Sequence, residues 1–127
     1  MRSAKRPTSK LSVTRSEALD CRPVKNGQVA EHRLDSGQVL LDYPEVMKPW
    51  LAALVRRLGG NADRVRMRKL QLDVLGTMVW DHIDGRRSVR QIARIFAAVH
   101  QLQRREAEMA VTRFLRDLGR RGLIGLK

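Results

Sequence analysis

The stretch Val79 to Phe96, VWDHIDGRRSVRQIARIF, holds the end of one helix, a tight turn and the start of another. Asp84-Gly85 breaks the first helical pattern, because glycine accepts the backbone angles that stop a helix. Ser88 then offers its hydroxyl to the amides of a new first turn, and Gln91, three residues on, completes a capping box. Behind that cap Val89, Ile92, Ala93, Phe96 and Val99 recur at helical spacing. Upstream, Asp73 can cap a helix whose apolar positions are Leu75, Met78, Val79, Trp80 and Ile83. Downstream, the polar run HQLQ leads into a third and longest helix with a stripe of Ala107, Ala110, Val111, Phe114, Leu115 and Leu118, closed by Gly122. Two angled helices followed by a longer one are the beginning of a helix-turn-helix.

Before Asp73 the apolar period changes from helical to alternating. QVAEHRLDSGQVLLDY, from Gln28 to Tyr43, gives two β-prone runs around Asp35-Ser36-Gly37, where Gly37 can take the positive φ of a three-residue hairpin loop. Val39, Leu41 and Tyr43 alternate onto one face, as a half-buried strand requires. MKPWLAALVRRLGG predicts a short amphipathic helix over about 47–58, with Pro49 in its first turn, Trp50, Leu51, Leu54, Val55 and Leu58 as its stripe, and Gly59-Gly60 as its stop. RVRMRKLQLD predicts a third strand. In it Val65 and Met67 share one face while Leu70 and Leu72 share the other, so a bulge or strand end is expected near Arg68 or Lys69. LIGLK can add a last short strand. Three N-terminal strands followed by a three-helix cluster make a winged-helix-like α+β domain over residues 21–127. Residues 1–20 read as a flexible basic arm, and Val79, Ile83, Ile92, Phe96, Val111, Phe114 and Leu118 are the expected core.

Charge narrows the choice of partner. Twenty-six Lys and Arg stand against 13 Asp and Glu, for a net charge of +13, so polyanions or acidic segments are the natural ligands. The excess is concentrated in residues 46–72, with seven basic residues against one acidic, and 104–127, with seven against three. The lone Cys21 cannot form an internal disulfide, and His32, His82 and His100 are scattered rather than set at metal-ligand spacing. A reducing cytoplasm and no bound metal are the expectation. The basic start lacks the apolar run of a signal peptide, and no segment approaches 18 consecutive apolar residues. Neither His82 nor His100 has an acid or nucleophile at a motif spacing, and no cluster-binding CxxxCxxC, phosphate-binding Walker loop or GxGxxG occurs. The sequence therefore predicts no enzyme and no cofactor.

The order of these segments resembles the PqqD-like family. A helix is followed by a D-G-x-R/K-[ST]-V turn and an I-A pair, matched by Asp84, Gly85, Arg87, Ser88, Val89, Ile92 and Ala93. The F-L-x-x-L-x-x-x-G-L-I ending is matched by Phe114, Leu115, Leu118, Gly122, Leu123 and Ile124. Members of that family are winged-helix-like peptide-binding modules, also called RiPP recognition elements. The resemblance implies a peptide chaperone that holds the leader of a ribosomally made precursor and presents it to a radical S-adenosylmethionine enzyme in natural product biosynthesis. It also implies that the peptide adds as a strand to the edge of the third strand, Val65 to Leu70, and lies on the third helix. The contacts implied here are Arg66, Met67, Arg68 and Lys69 on the strand and Met109, Arg113 and Arg116 on the helix, and their charge favours an acidic peptide. The helix at 47–58 and the basic arm depart from the family core. The alternative is a winged-helix DNA-binding regulator. Against it, Glu106 and Glu108 place two carboxylates in the first turns of the third helix, where a DNA groove would bring phosphates closest.

Overall fold

The computed structural model describes residues 14–45, 48–61 and 66–127. A hairpin opens the larger sheet. Strand β2, Ala30–Arg33, pairs antiparallel with β3, Val39–Glu45, and between them the Leu34 N–H donates to the Gln38 carbonyl and the Gly37 N–H to the Leu34 carbonyl. Gly37 takes φ +91, the left-handed conformation that glycine adopts without a Cβ clash. Val39, Leu41 and Tyr43 all turn inward and are buried, as their alternation predicts.

Strand β4, Arg66–Gln71, joins the other side of β3 in an antiparallel register that runs unbroken from Leu40↔Gln71 to Glu45↔Arg66. The expected bulge is replaced by a regular ladder. Leu70 lies opposite Leu41 and Arg68 opposite Tyr43, so the inward face of β4 carries arginines toward its open end. Met67, opposite Pro44, faces out and is 58% exposed. The apparent slip in the apolar pattern is thus a change of residue type along one face. Val65 lies outside the described residues.

Helix α2, Pro49–Arg57, fills the connection between β3 and β4. Pro49 stands in its first turn and Gly59, at φ +83, follows its end. Met47, placed in this helix from the sequence, lies outside the described residues. The expected stripe of α2 is largely uncovered: Leu51 and Val55 are half-buried, Leu54 is exposed, Trp50 is 66% and Leu58 79% exposed, and the buried residue is Ala52, outside the stripe. The three-helix cluster then follows as α3, Val74–Asp81, α4, Val89–His100, and α5, Arg104–Arg120. The Asp73 carboxylate accepts from the Gly76 N–H at 2.6 Å, and Ser88 and Gln91 cap one another's backbone at the start of α4.

Trp80, Leu41, Ile92, Leu118 and Leu123 are the largest fully buried side chains of a single core between sheet and helices. Val79, Ile83, Ile92, Phe96, Val111 and Leu118 all belong to it. Phe114, expected among them, is half-buried at its margin, and Leu75 and Ala110 are exposed. Val99 is 60% exposed. It lies in the last turn of α4, where the chain reverses at the left-handed Gln101, and nothing described covers that turn.

The N-terminal segment corrects the expected flexible arm in part. Residues 1–13 lie outside the described residues, but Arg15–Asp20 form helix α1. Thr14 and Glu17 make a capping box there, and Leu19 enters the core. A short strand β1, Pro23–Lys25, pairs antiparallel with β5, Ile124–Leu126. The last strand was expected, but its partner was not. The chain is therefore α+β with strands interspersed among helices, not strands first and helices after. None of the described helices is long and apolar enough to cross a membrane.

Candidate functional site

The backbone of β4 defines one side of the site. The Leu72 N–H donates to the Val39 carbonyl at 2.8 Å. Because an antiparallel ladder alternates, residues 70, 68 and 66 also turn their N–H and C=O toward β3, while Met67, Lys69 and Gln71 turn theirs away. Pro44 agrees with this phase, since it sits opposite Met67 at a position where β3 needs no donor toward β4. Among the described residues no strand pairs with that outer edge of β4. Met67 and Lys69 share the outer face of the sheet, whereas Arg66 and Arg68 lie on the same face as Leu41 and Tyr43. Arg68 is within 3.6 Å of Glu45.

The basic side of α5 provides the other group. Met109, Arg113 and Arg116 converge on a cavity of about 310 Å³ whose opposite wall is α1, through Arg15, Ala18 and Leu19. Met109 and Arg113 also border a depression beside Phe114. The structure thus brings the three helix candidates together. It places Arg68 in a different cavity, with Tyr43, Arg120 and Arg121. Arg66, Met67 and Lys69 line neither cavity.

Glu108 is a residue whose role the sequence did not disclose. It is only 6% exposed and accepts from Arg15 of α1 at 2.6 Å, with Arg104 at 3.8 Å. An isolated glutamate in a buried position needs such partners, because an unpaired buried charge is costly. Asp20 at the other end of α1 meets Arg90 of α4 at 3.2 Å. The available signal was the Thr14-x-x-Glu17 capping box, which marks a helix start within the supposed arm.

These contacts change the argument about DNA. Glu106 is engaged at the start of α5, accepting from the Gln103 N–H at 3.2 Å, and Glu108 is turned toward α1. The two carboxylates do not simply face outward. Instead α1 stands beside α5 and holds Glu108 through Arg15.

The histidines are engaged locally. His32 meets Asp42 at 2.9 Å, His82 reaches the Met78 carbonyl at 2.7 Å, and the His100 ring lies tilted by 55° against Phe96 with centroids 4.8 Å apart. Among the described residues no group of three His, Cys, Asp or Glu side chains is placed to hold a metal ion. In the turn that decides the fold, the Arg87 and Arg86 N–H groups hold the Asp84 carboxyl below the ordinary aspartate range, so Asp84 is turn chemistry.

A family model described as Coenzyme PQQ synthesis protein D (PqqD) matches residues 51–124, more than half of the chain, from within α2 to the first residue of β5. No curated protein matches the chain.

Proposed function

Because the chain belongs to the PqqD family, we propose that it is a non-catalytic peptide-binding module. It holds the leader of a ribosomally made precursor and presents it to a radical S-adenosylmethionine enzyme, within a winged-helix-like domain. The observation that carries this reading is the outer edge of β4, which offers the N–H and C=O groups of Met67, Lys69 and Gln71 to an added strand. Edges of this kind are normally blocked or covered, and here the blocking device is charge, from Lys69 and the arginines beside it. The same charges favour an acidic leader. Arg113, Arg116 and the exposed thioether of Met109 supply a basic, adaptable surface on α5 for its side chains.

The test titrates a synthetic acidic peptide with alternating apolar residues, the chemistry the proposed leader would carry, into the isotope-labelled chain. Amide shifts should concentrate at Met67, Lys69 and Gln71. Met67→Pro removes a donor from the free edge and none from the β3 ladder, so it should abolish binding at every salt concentration while circular dichroism stays unchanged. A Met67→Pro chain that folds and binds like the wild type would overturn the strand-addition reading.

A further inference from the structure

A second cavity, of about 410 Å³, opens at the C-terminal end of α5. Four separate segments converge on it: the turn after β1 with Asn26, the end of β3 with Tyr43, the start of α2 with Lys48, and β4 with Arg68. The end of α5 adds Arg120 and Arg121. Among the described residues four cations therefore surround one cavity, against a single lining carboxylate, Glu45, which lies 3.6 Å from Arg68. Arg120 leans back on Asp117 at 3.6 Å. Lys48 and Arg121 have no acidic partner among the described residues.

Like charges gathered into one concavity repel, and an anion placed among them reverses the sign of that interaction. Two details favour an oxyanion over plain solvent. Tyr43 is only 5% exposed, and its hydroxyl accepts from Arg121 at 3.3 Å. With that lone pair used, its own O–H remains a donor at the cavity. The end of a helix normally repels anions through its free carbonyls. Here the carbonyls of Asp117, Leu118 and Gly119 are taken by the N–H groups of Arg121, Leu123 and Gly122, and that of Gly122 by the Asn26 amide.

We propose that this cavity binds an oxyanion, a carboxylate or phosphate group, through the Arg68 and Arg121 guanidiniums, the Lys48 ammonium and the Tyr43 hydroxyl. Binding here needs no added strand on β4, so it stands or falls apart from the peptide reading.

Inorganic phosphate titrated into the labelled chain, with ionic strength held constant by sodium chloride, should give saturable amide shifts around Tyr43, Arg121 and Gly122. The double variant R68A/R121A, altered only at exposed positions, should weaken phosphate at least tenfold. Tyr43→Phe should weaken it less, and Arg94→Ala, on the exposed side of α4, should leave it unchanged. A tetraglutamate peptide that displaces phosphate from these amides shows that the site takes an acidic side chain. Failure to displace it shows a site for a free anion. Shifts that rise without saturation across all the basic residues, or an R68A/R121A chain that is folded and binds phosphate as before, would overturn the proposal.

Discussion

At Asp84 one carboxylate oxygen accepts from the backbone N–H groups of both Arg86, at 2.9 Å, and Arg87, at 2.8 Å. These bonds favour the ionised form and lower the pKa. A depressed folded-state pKa contributes stability that is present above the unfolded value, near 4, and is lost as pH falls through the folded value. Asp84→Asn should therefore melt below the wild type at pH 7, with the gap closing as pH falls past the ordinary aspartate value and through the lower folded one. A gap in melting temperature as wide in acid as at neutrality would refute this. Phe114 makes a different case. Its ring is half-buried and presses on Gly76, where an added Cβ would meet it at 3.0 Å. Phe114→Ala should consequently cost less than about 3 kcal/mol, below the usual range for a fully buried ring, whereas Ile92→Ala in the centre of the core should cost about 2 to 5 kcal/mol. Urea denaturation of both variants ranks them, and a larger loss for Phe114→Ala would place the core's centre elsewhere.

At the scale of elements, α1 is the segment whose docking is most open to test. It is too short to be stable alone, so it depends on Leu19 in the core and on the Arg15–Glu108 pair. Leu19→Ala should cost about 2 to 4 kcal/mol. Arg15→Met leaves the buried Glu108 carboxylate, among the described residues, with only Arg104, at 3.8 Å, and should cost about 1 to 3 kcal/mol. Both variants should raise hydrogen exchange in α1 before exchange rises in α4. Uniform exchange throughout the domain would mean that α1 is no separate unit. This helix was legible only in its cap: Thr14 and Glu17 mark a start, but with one apolar anchor in six residues there is no period to read.

For the whole molecule the governing quantity is the net charge of +13 and where it falls. Arg113 and Arg116 are exposed, so on the proposed reading any attraction for an acidic leader would act through solvent and be screened over about 10 Å at 0.1 M salt. Replacing both by Glu should weaken leader binding at low salt, by a factor that shrinks as salt rises. Calorimetry over a salt series reads this directly, and a salt-independent loss would point to packing instead. Met67→Pro, which acts through the backbone, should show no such salt dependence.

By itself the sequence determined every element with a strong local signature. The hairpin at Gly37, the caps at Asp73 and Ser88, the unbroken stripe of α5 and the family motif around Asp84 all rest on neighbours within a few residues, so chain order alone exposes them. What only the tertiary structure decided involves partners far apart in sequence. Strand β1 exists because β5, some 100 residues later, supplies its hydrogen bonds. Glu108 is buried because Arg15, 93 positions away, neutralises it. The candidate contacts divide for the same reason: the pleat of β4 sends Arg68 to the Tyr43 face and Met67 to the other. Helix α1 then forms the far wall of an open cavity that Met109, Arg113 and Arg116 line, apart from both.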